Sequence, residues 1–217
     1  MTIFSRTPIL LALLAIFLLA GLLGGPHNAF DMAVSRAMAD FRRDWPELAS
    51  LAAIATQLGS VYATLGLGLL AASLLAIGGQ RGAALLLATV VLERLSVDGL
   101  KMAVGRPRPE LDLPFMPASA SFPSGHSANS MAVFVAIALI AVPRPWRRSA
   151  VVLAACSSLL IGLTRVVLGV HWPTDVVGGW AWGLLVVGLA VAAGRRSGTI
   201  EAQHDIVGGH LPPVRED

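Results

Sequence analysis

The stretch GAALLLATVVLERLSVDGLKM, residues 82–102, decides how the whole chain is read. Its first half is almost wholly apolar, and its second half carries Glu93, Arg94, Asp98 and Lys101. A spanning helix needs ~20 mostly apolar residues. Ionisable groups inside one are costly and usually paired or functional. Counted as a span, this stretch is the third of six. The others run from Pro8 to Gly24, Gly59 to Gly78, Ser127 to Val142, Ser149 to Leu168 and Asp175 to Ala193. The expected fold is therefore an all-α, six-span transmembrane helix bundle. Residues 1–194 form one membrane domain, and residues 195–217 form a polar, flexible cytoplasmic tail.

Composition agrees with a membrane as solvent. The chain has 217 residues, of which 55% are hydrophobic and 13% charged, with a mean hydropathy of +0.73. A soluble domain carries about 25% charged residues. The net charge of +3 and the pI near 10.0 are basic, but no lysine-arginine run suited to nucleic acid is present. Arg144, Arg147 and Arg148 fall between two apolar segments, as expected of a loop at an anionic leaflet. Cys156 is the single cysteine, which excludes an internal disulfide and a cysteine metal cage.

The first apolar segment is too long in its core for a signal peptide and lacks a clean cleavage site after it, so it is read as a retained span. Arg6 precedes it, and the next positive residue is Arg36. The N-terminus is therefore expected in the cytoplasm, together with Arg81, the Arg144–Arg148 loop, Arg195 and Arg196. Between the first two spans, Phe30, Val34, Met38, Phe41 and Trp45 recur at helical spacing with charges between them. They predict a short amphipathic helix at the outer interface, either capping the bundle or forming a lip that guides lipid.

Three polar clusters interrupt the apolar chain: KMAVGRPRP (101–109), FPSGHS (122–127) and TRVVLGVHWPTD (164–175). Loops after the first, third and fifth spans lie on one face, so span parity brings the clusters together. Lys101, Arg108 and Arg165 offer three cations, and arginine presents paired donors to phosphate oxygens. Ser124 and Gly125 open a helix whose free N–H groups and dipole favour an anion. His126 and His171 supply the reactive groups: one can attack phosphorus while the other protonates the departing oxygen. Asp175, four residues after His171, can accept a hydrogen bond from one ring nitrogen and leave the other free. No carboxylate or histidine cluster suits a metal pair, and three fixed cations can stabilise a pentacovalent transition state without one.

These clusters resemble the signature of the type 2 phosphatidic acid phosphatases, a family allied to vanadium-dependent haloperoxidases and bacterial acid phosphatases. That signature has a lysine, six residues and Arg-Pro; then Pro-Ser-Gly-His; then Ser-Arg, five residues, His, three residues and Asp. Here it reads Lys101 to Arg108-Pro109, Pro123-Ser124-Gly125-His126, and Thr164-Arg165 to His171 to Asp175. Thr164 in place of serine is the one departure, and it keeps the hydroxyl. The resemblance implies that His171 is the nucleophile forming a phosphohistidine, that Asp175 orients it, and that His126 is the general acid. It implies that Lys101, Arg108, Ser124, Gly125 and Arg165 hold the phosphate, with no metal and no cofactor. The implied partner is a lipid phosphate or diphosphate: undecaprenyl diphosphate, phosphatidylglycerol phosphate, phosphatidic acid or lipid A phosphate. The implied setting is a bacterial inner membrane with the site on its outer face.

Two other readings compete. A haloperoxidase would use the same anion site for vanadate, but those relatives are soluble. A transporter would distribute its charges through the bilayer, whereas most here gather at one face. Outside the motifs, Arg94 and Asp98 are spaced to pair on one helix face. Arg106, Glu110 and Asp112 are expected in a solvated loop, and Asn129 and Ser130 are placed to line the pocket.

Overall fold

The computed structural model describes residues 7–109 and 118–199. Every regular element among them is helical: α1 (Thr7–Leu23), α2 (Ala29–Asp44), α3 (Pro46–Ala55), a 3-10 turn η1 (Thr56–Gly59), α4 (Val61–Ile77), α5 (Gly82–Val104), α6 (Gly125–Ile140), α7 (Arg144–Val167) and α8 (Pro173–Arg196). Glu110 and Asp112 and the tail from residue 200 lie outside the described residues.

Helix α6 is the centre of the bundle and packs against α4, α5, α7 and α8, while α1 lies on the far side of α8. Twelve of the sixteen α6 residues are buried, as expected of a helix that is apolar on every side. Between α6 and α8 the backbones come close. A Cβ placed on Gly179 would fall 2.6 Å from the Ser124 carbonyl oxygen, and one on Gly183 would fall 2.7 Å from that of Ala128. Small residues four apart permit such contact between helices in a membrane. The approach matters for the site because it seats the start of α6 against the start of α8.

Leucines on the outer faces of α1, α4 and α7, among them Leu22, Leu70, Leu74, Leu153 and Leu160, are exposed. So large an apolar exterior belongs against lipid. By length and composition three helices can cross a membrane: the continuous run Pro46–Ile77, α7 and α8. Helices α1 and α6 are apolar but shorter, and α5 is long but carries the charges noted above. The six expected segments each coincide with one helix to within a few residues, apart from α7, which begins earlier at Arg144.

The segment between the first two spans holds the expected amphipathic helix as α2 and, beyond expectation, α3. Two helices, not one, fill it, separated at Trp45. Pro46 at the first position of α3 has no N–H to give and restricts the residue before it, so Trp45 leaves helical geometry (φ −133°, ψ 64°). The most buried line of α2 is turned slightly from its apolar stripe, of which Val34, Met38 and Phe41 are half-buried. Asp31 and Ser35 point inward, while Phe30 is exposed. Asp31 turns inward because its carboxylate satisfies N–H and O–H donors elsewhere in the bundle, which are described below.

Candidate active site

The segment after α5 turns sharply at Gly105, whose φ of +61° closes the helix and lets its N–H bond the Lys101 carbonyl. The Lys101 side chain is buried and donates to the carbonyls of Ala120 (2.6 Å) and Ser121 (3.4 Å). It thereby pins the segment leading into α6. Arg108 lies beyond the turn. Its Nε donates to the Ser119 carbonyl (2.9 Å), and its NH1 donates to the Val170 carbonyl (2.6 Å) and sits 3.2 Å from His171 Nε2.

Ser124 is the N-cap residue of α6, and its own N–H donates to the Asp175 carbonyl (3.0 Å). That donor is therefore spent on holding α6 to α8. The N–H groups of Gly125, His126 and Ser127 have no acceptor within the helix and form its anion-facing end. Gly125 has only the Lys101 and Val97 side chains near its missing Cβ, at 3.8 and 3.9 Å. The His126 ring is half-buried and lies in the fields of Arg165, His171, Lys101 and Arg108. Arg165, buried near the end of α7, donates from NH1 to Thr56 Oγ1 (3.0 Å), while its Nε is buried without a partner. Among the described residues Lys101, Arg108 and Arg165 form no ion pair. The three polar clusters of the sequence thus meet around one point.

His171 is 3% exposed, with Nδ1 3.3 Å from Asp175 Oδ2. A carboxylate beside Nδ1 assigns the proton there and leaves Nε2 with a bare lone pair, facing Arg108 NH1. Burial first, and then the charges of Arg108, Lys101 and Arg165, hold His171 well below the usual imidazole range. In the unfolded chain the same ring titrates at about 6.5. As pH falls below that value, the unfolded chain takes up a proton that the folded chain refuses, so stability is retained above it and declines as pH falls. The melting temperature in detergent is expected to be lower at pH 5.5 than at pH 7.5, and His171→Gln should reduce that difference. An undiminished pH dependence in the variant would assign the effect to other groups.

Asp175 has no exposed surface and is the hub of a network that the sequence reading missed. Its Oδ2 also accepts from the Trp172 N–H (2.9 Å), and its Oδ1 accepts from Arg106 NH1 (2.8 Å). Arg106 is therefore not in a solvated loop. It is buried, lies over the Phe122 ring at 4.5 Å, and donates to the carbonyls of Ala20 (2.8 Å) and Gly21 (2.6 Å) at the end of α1 and to Thr174 Oγ1 (3.1 Å). Thr174 in turn donates from its N–H (3.1 Å) and its hydroxyl (2.6 Å) to Asp31, which also accepts from the Gly25 N–H (2.6 Å). A continuous chain of bonds runs from α2 through Thr174, Arg106 and Asp175 to His171. The motif spacing singles out Arg108 and gives Arg106 no partner, and Asp31 reads locally as a first-turn acid of α2.

Asn129 and Ser130 are buried, and Asn129 serves a structural pairing. With its amide NH2 turned toward them, Asn129 reaches both carboxyl oxygens of Glu93 (3.0 and 3.1 Å) and the Gly125 carbonyl (3.1 Å). Glu93 thus joins α5 to the first turn of α6. Arg94 and Asp98 pair on the α5 face as spaced. Among the described residues, no group of three or more His, Cys, Asp or Glu side chains could hold a metal ion.

A helical bundle with a lipid-facing exterior, which gathers cations, a helix N-terminus and two imidazoles at one end, defines an integral membrane protein with a concentrated cationic site. The sequence matches the PAP2 superfamily over residues 82–198, and the chain belongs to that superfamily. It is 31% identical over 185 residues to phosphatidylglycerophosphatase B of Bacillus subtilis, covering 82% of this chain and 90% of that protein. It is 41% identical over 105 residues to a lipid A 1-phosphatase of Rhizobium johnstonii, covering 44% and 41% respectively. The fold is similar to the crystal structure of a transmembrane PAP2-type phosphatidylglycerolphosphate phosphatase from Bacillus subtilis. That likeness has a TM-score of 0.76 at 29% identity and covers 86% of this chain and 96% of the other.

Proposed function

We propose that this protein is a membrane lipid phosphatase that removes a terminal phosphate from a lipid phosphate or diphosphate through a phosphohistidine. The carrying observation is the convergence of Lys101, Arg108 and Arg165, unpaired with acids among the described residues, on the two imidazoles. An incoming phosphate takes over Arg108 NH1 and meets the N–H groups at the start of α6, the unpartnered Arg165 Nε and the Lys101 ammonium. His171 Nε2 attacks phosphorus while the bond to the leaving oxygen breaks, and His126 protonates that oxygen. Asp175 holds the Nδ1 proton and stabilises the charge that the ring gains. Water, deprotonated by His126, then attacks phosphorus, the P–N bond breaks and phosphate leaves. The cations offset the equatorial oxygens throughout, so the reaction proceeds without a metal.

In this reading α1, α4, α5, α6, α7 and α8 are the six spans. The N-terminus lies in the cytoplasm, and the site opens at the outer face of a bacterial inner membrane. The likeness to phosphatidylglycerophosphatase B, which spans most of both chains, supports a glycerophospholipid phosphate as substrate, with the polyprenyl diphosphate implied by the sequence resemblance as the competing choice. Purified protein in detergent, assayed for phosphate release from phosphatidylglycerol phosphate, undecaprenyl diphosphate, phosphatidic acid and lipid A in EDTA, is expected to act on at least one of the first two. Release from none of the four, or release abolished by the chelator, would refute the reading.

A further inference from the structure

Helix α2 lies outside the three motifs, yet two charged side chains on one of its faces reach the two ends of the loop that carries His171. Asp31 and Arg42 are eleven positions apart. At 3.6 residues per turn they fall within about 20° of each other around α2 and about 16 Å apart along it.

The loop, residues 168–172, joins the end of α7 to the start of α8. At its entry the last carbonyls of α7 lack partners within the helix. Arg42 NH1 donates to one of them, that of Val167 (2.7 Å), two residues after Arg165. A cation is favoured at that helix end. Gly169 makes room for it: a Cβ there would fall 2.8 Å from Arg42 NH1 and 2.9 Å from NH2. At the loop's exit, Asp31 has no exposed surface and accepts from the Thr174 N–H (3.1 Å) and hydroxyl (2.6 Å), in the first turn of α8. A carboxylate is favoured at that end for the same electrostatic reason. Each charge on α2 therefore matches the helix terminus it meets, and His171 lies between the two contacts.

The middle of the loop has a different hold, the bond from Arg108 NH1 to the Val170 carbonyl (2.6 Å). In the reaction proposed above an incoming phosphate takes over Arg108 NH1. With that bond competed for, the fastenings at the two ends set where His171 Nε2 stands. We propose that Asp31 and Arg42 are positioning residues of the reaction and that α2 is a strap holding the His171 loop at both ends. Neither side chain takes part in the chemistry itself. The inference rests on the phosphatase reading and adds to it an element that the motifs do not include.

The test uses full-length protein in mixed micelles and the lipid that the wild type hydrolyses fastest. Arg42→Ala and Asp31→Asn are each expected to lower kcat about tenfold with KM within threefold, since the nucleophile shifts while the cations stay. Arg42→Lys should recover most of the rate, because an ammonium can also bond a carbonyl at a helix end. Sites this far apart without a shared partner ordinarily have effects that multiply. A loop held at two ends behaves otherwise: once one end is free, releasing the other adds little. The double variant should therefore fall within threefold of the slower single one. Hydrogen exchange at the amides of residues 167–174 should quicken in each single variant while that of α6 is unchanged. Unaltered exchange, faster exchange with kcat within twofold of the wild type, or two losses that multiply would each overturn the strap while the phosphatase reading stood. Wild-type protein inactive on every lipid named above would instead refute that reading, and the exchange measurement would still decide whether α2 fastens the loop.

Discussion

His171→Ala is expected to lower phosphate release by roughly 10⁴-fold or more, the scale seen when a nucleophile acting as part of a unit is removed. The ring is buried, so the loss must be separated from misfolding. The variant should give the same elution volume in detergent as the wild type and should still bind orthovanadate through the remaining cations. With a substrate labelled in its terminal phosphate, rapid quenching of the wild type should trap protein-bound label that is lost in acid and kept in base. His171→Ala should trap none. Activity within tenfold of the wild type would eliminate His171 as the nucleophile, and trapped label in the variant would move that role elsewhere. His126→Ala should also lose most activity on a natural lipid. It should lose less on an ester with an activated leaving group, because such a group departs without being protonated.

Arg106→Ala should have the second largest effect. The side chain bonds Asp175, Thr174 and the last carbonyls of α1, and both partners of the Arg106–Asp175 pair are buried. Removing one member of such a pair leaves an uncompensated charge and costs about 3–5 kcal/mol. A clear fall in melting temperature is therefore expected. The catalytic signature is more specific. Arg106 acts as a positioning residue: it touches Asp175, and Asp175 sets the His171 ring. Its loss should lower kcat by about 10²-fold with KM changed less than threefold, because the cations proposed to hold the phosphate remain in place. Arg106→Lys should restore part of the stability through one ammonium contact and less of the rate, since one donor cannot replace the arginine fork. A fall in stability with kcat unchanged would assign Arg106 a structural role alone.

These two residues also mark where sequence reading succeeds and where it stops. His171 and Asp175 are four apart, and that spacing alone brings a ring nitrogen to a carboxylate across the first turn of α8. The start of α6 at Ser124 and Gly125 follows from a proline, serine and glycine placed just before an apolar helix. Span parity was enough to bring the Lys101–Arg108 segment to the same end as His126 and His171. Each inference depends on local geometry or on counting, and each needs only the sequence. The stripe from Phe30 to Trp45 marked α2, while α3 after Pro46 was legible only in principle, since proline restricts its neighbour and suits a helix start.

The sequence by itself determined the helical membrane architecture and the charged motifs that gather at one end of it, because apolar length, charge type and short-range spacing are properties of neighbouring residues. Only the tertiary structure decided which of two arginines in RPRP reaches Asp175, 69 positions away, and that Asp31 meets Thr174, 143 positions away. It also decided that Arg42 reaches the Val167 carbonyl, 125 positions away. Those pairings depend on how α2 docks against α7 and α8 and on the direction the chain takes after Gly105. Many chain directions satisfy the same local rules, and the packing of the whole bundle selects one of them.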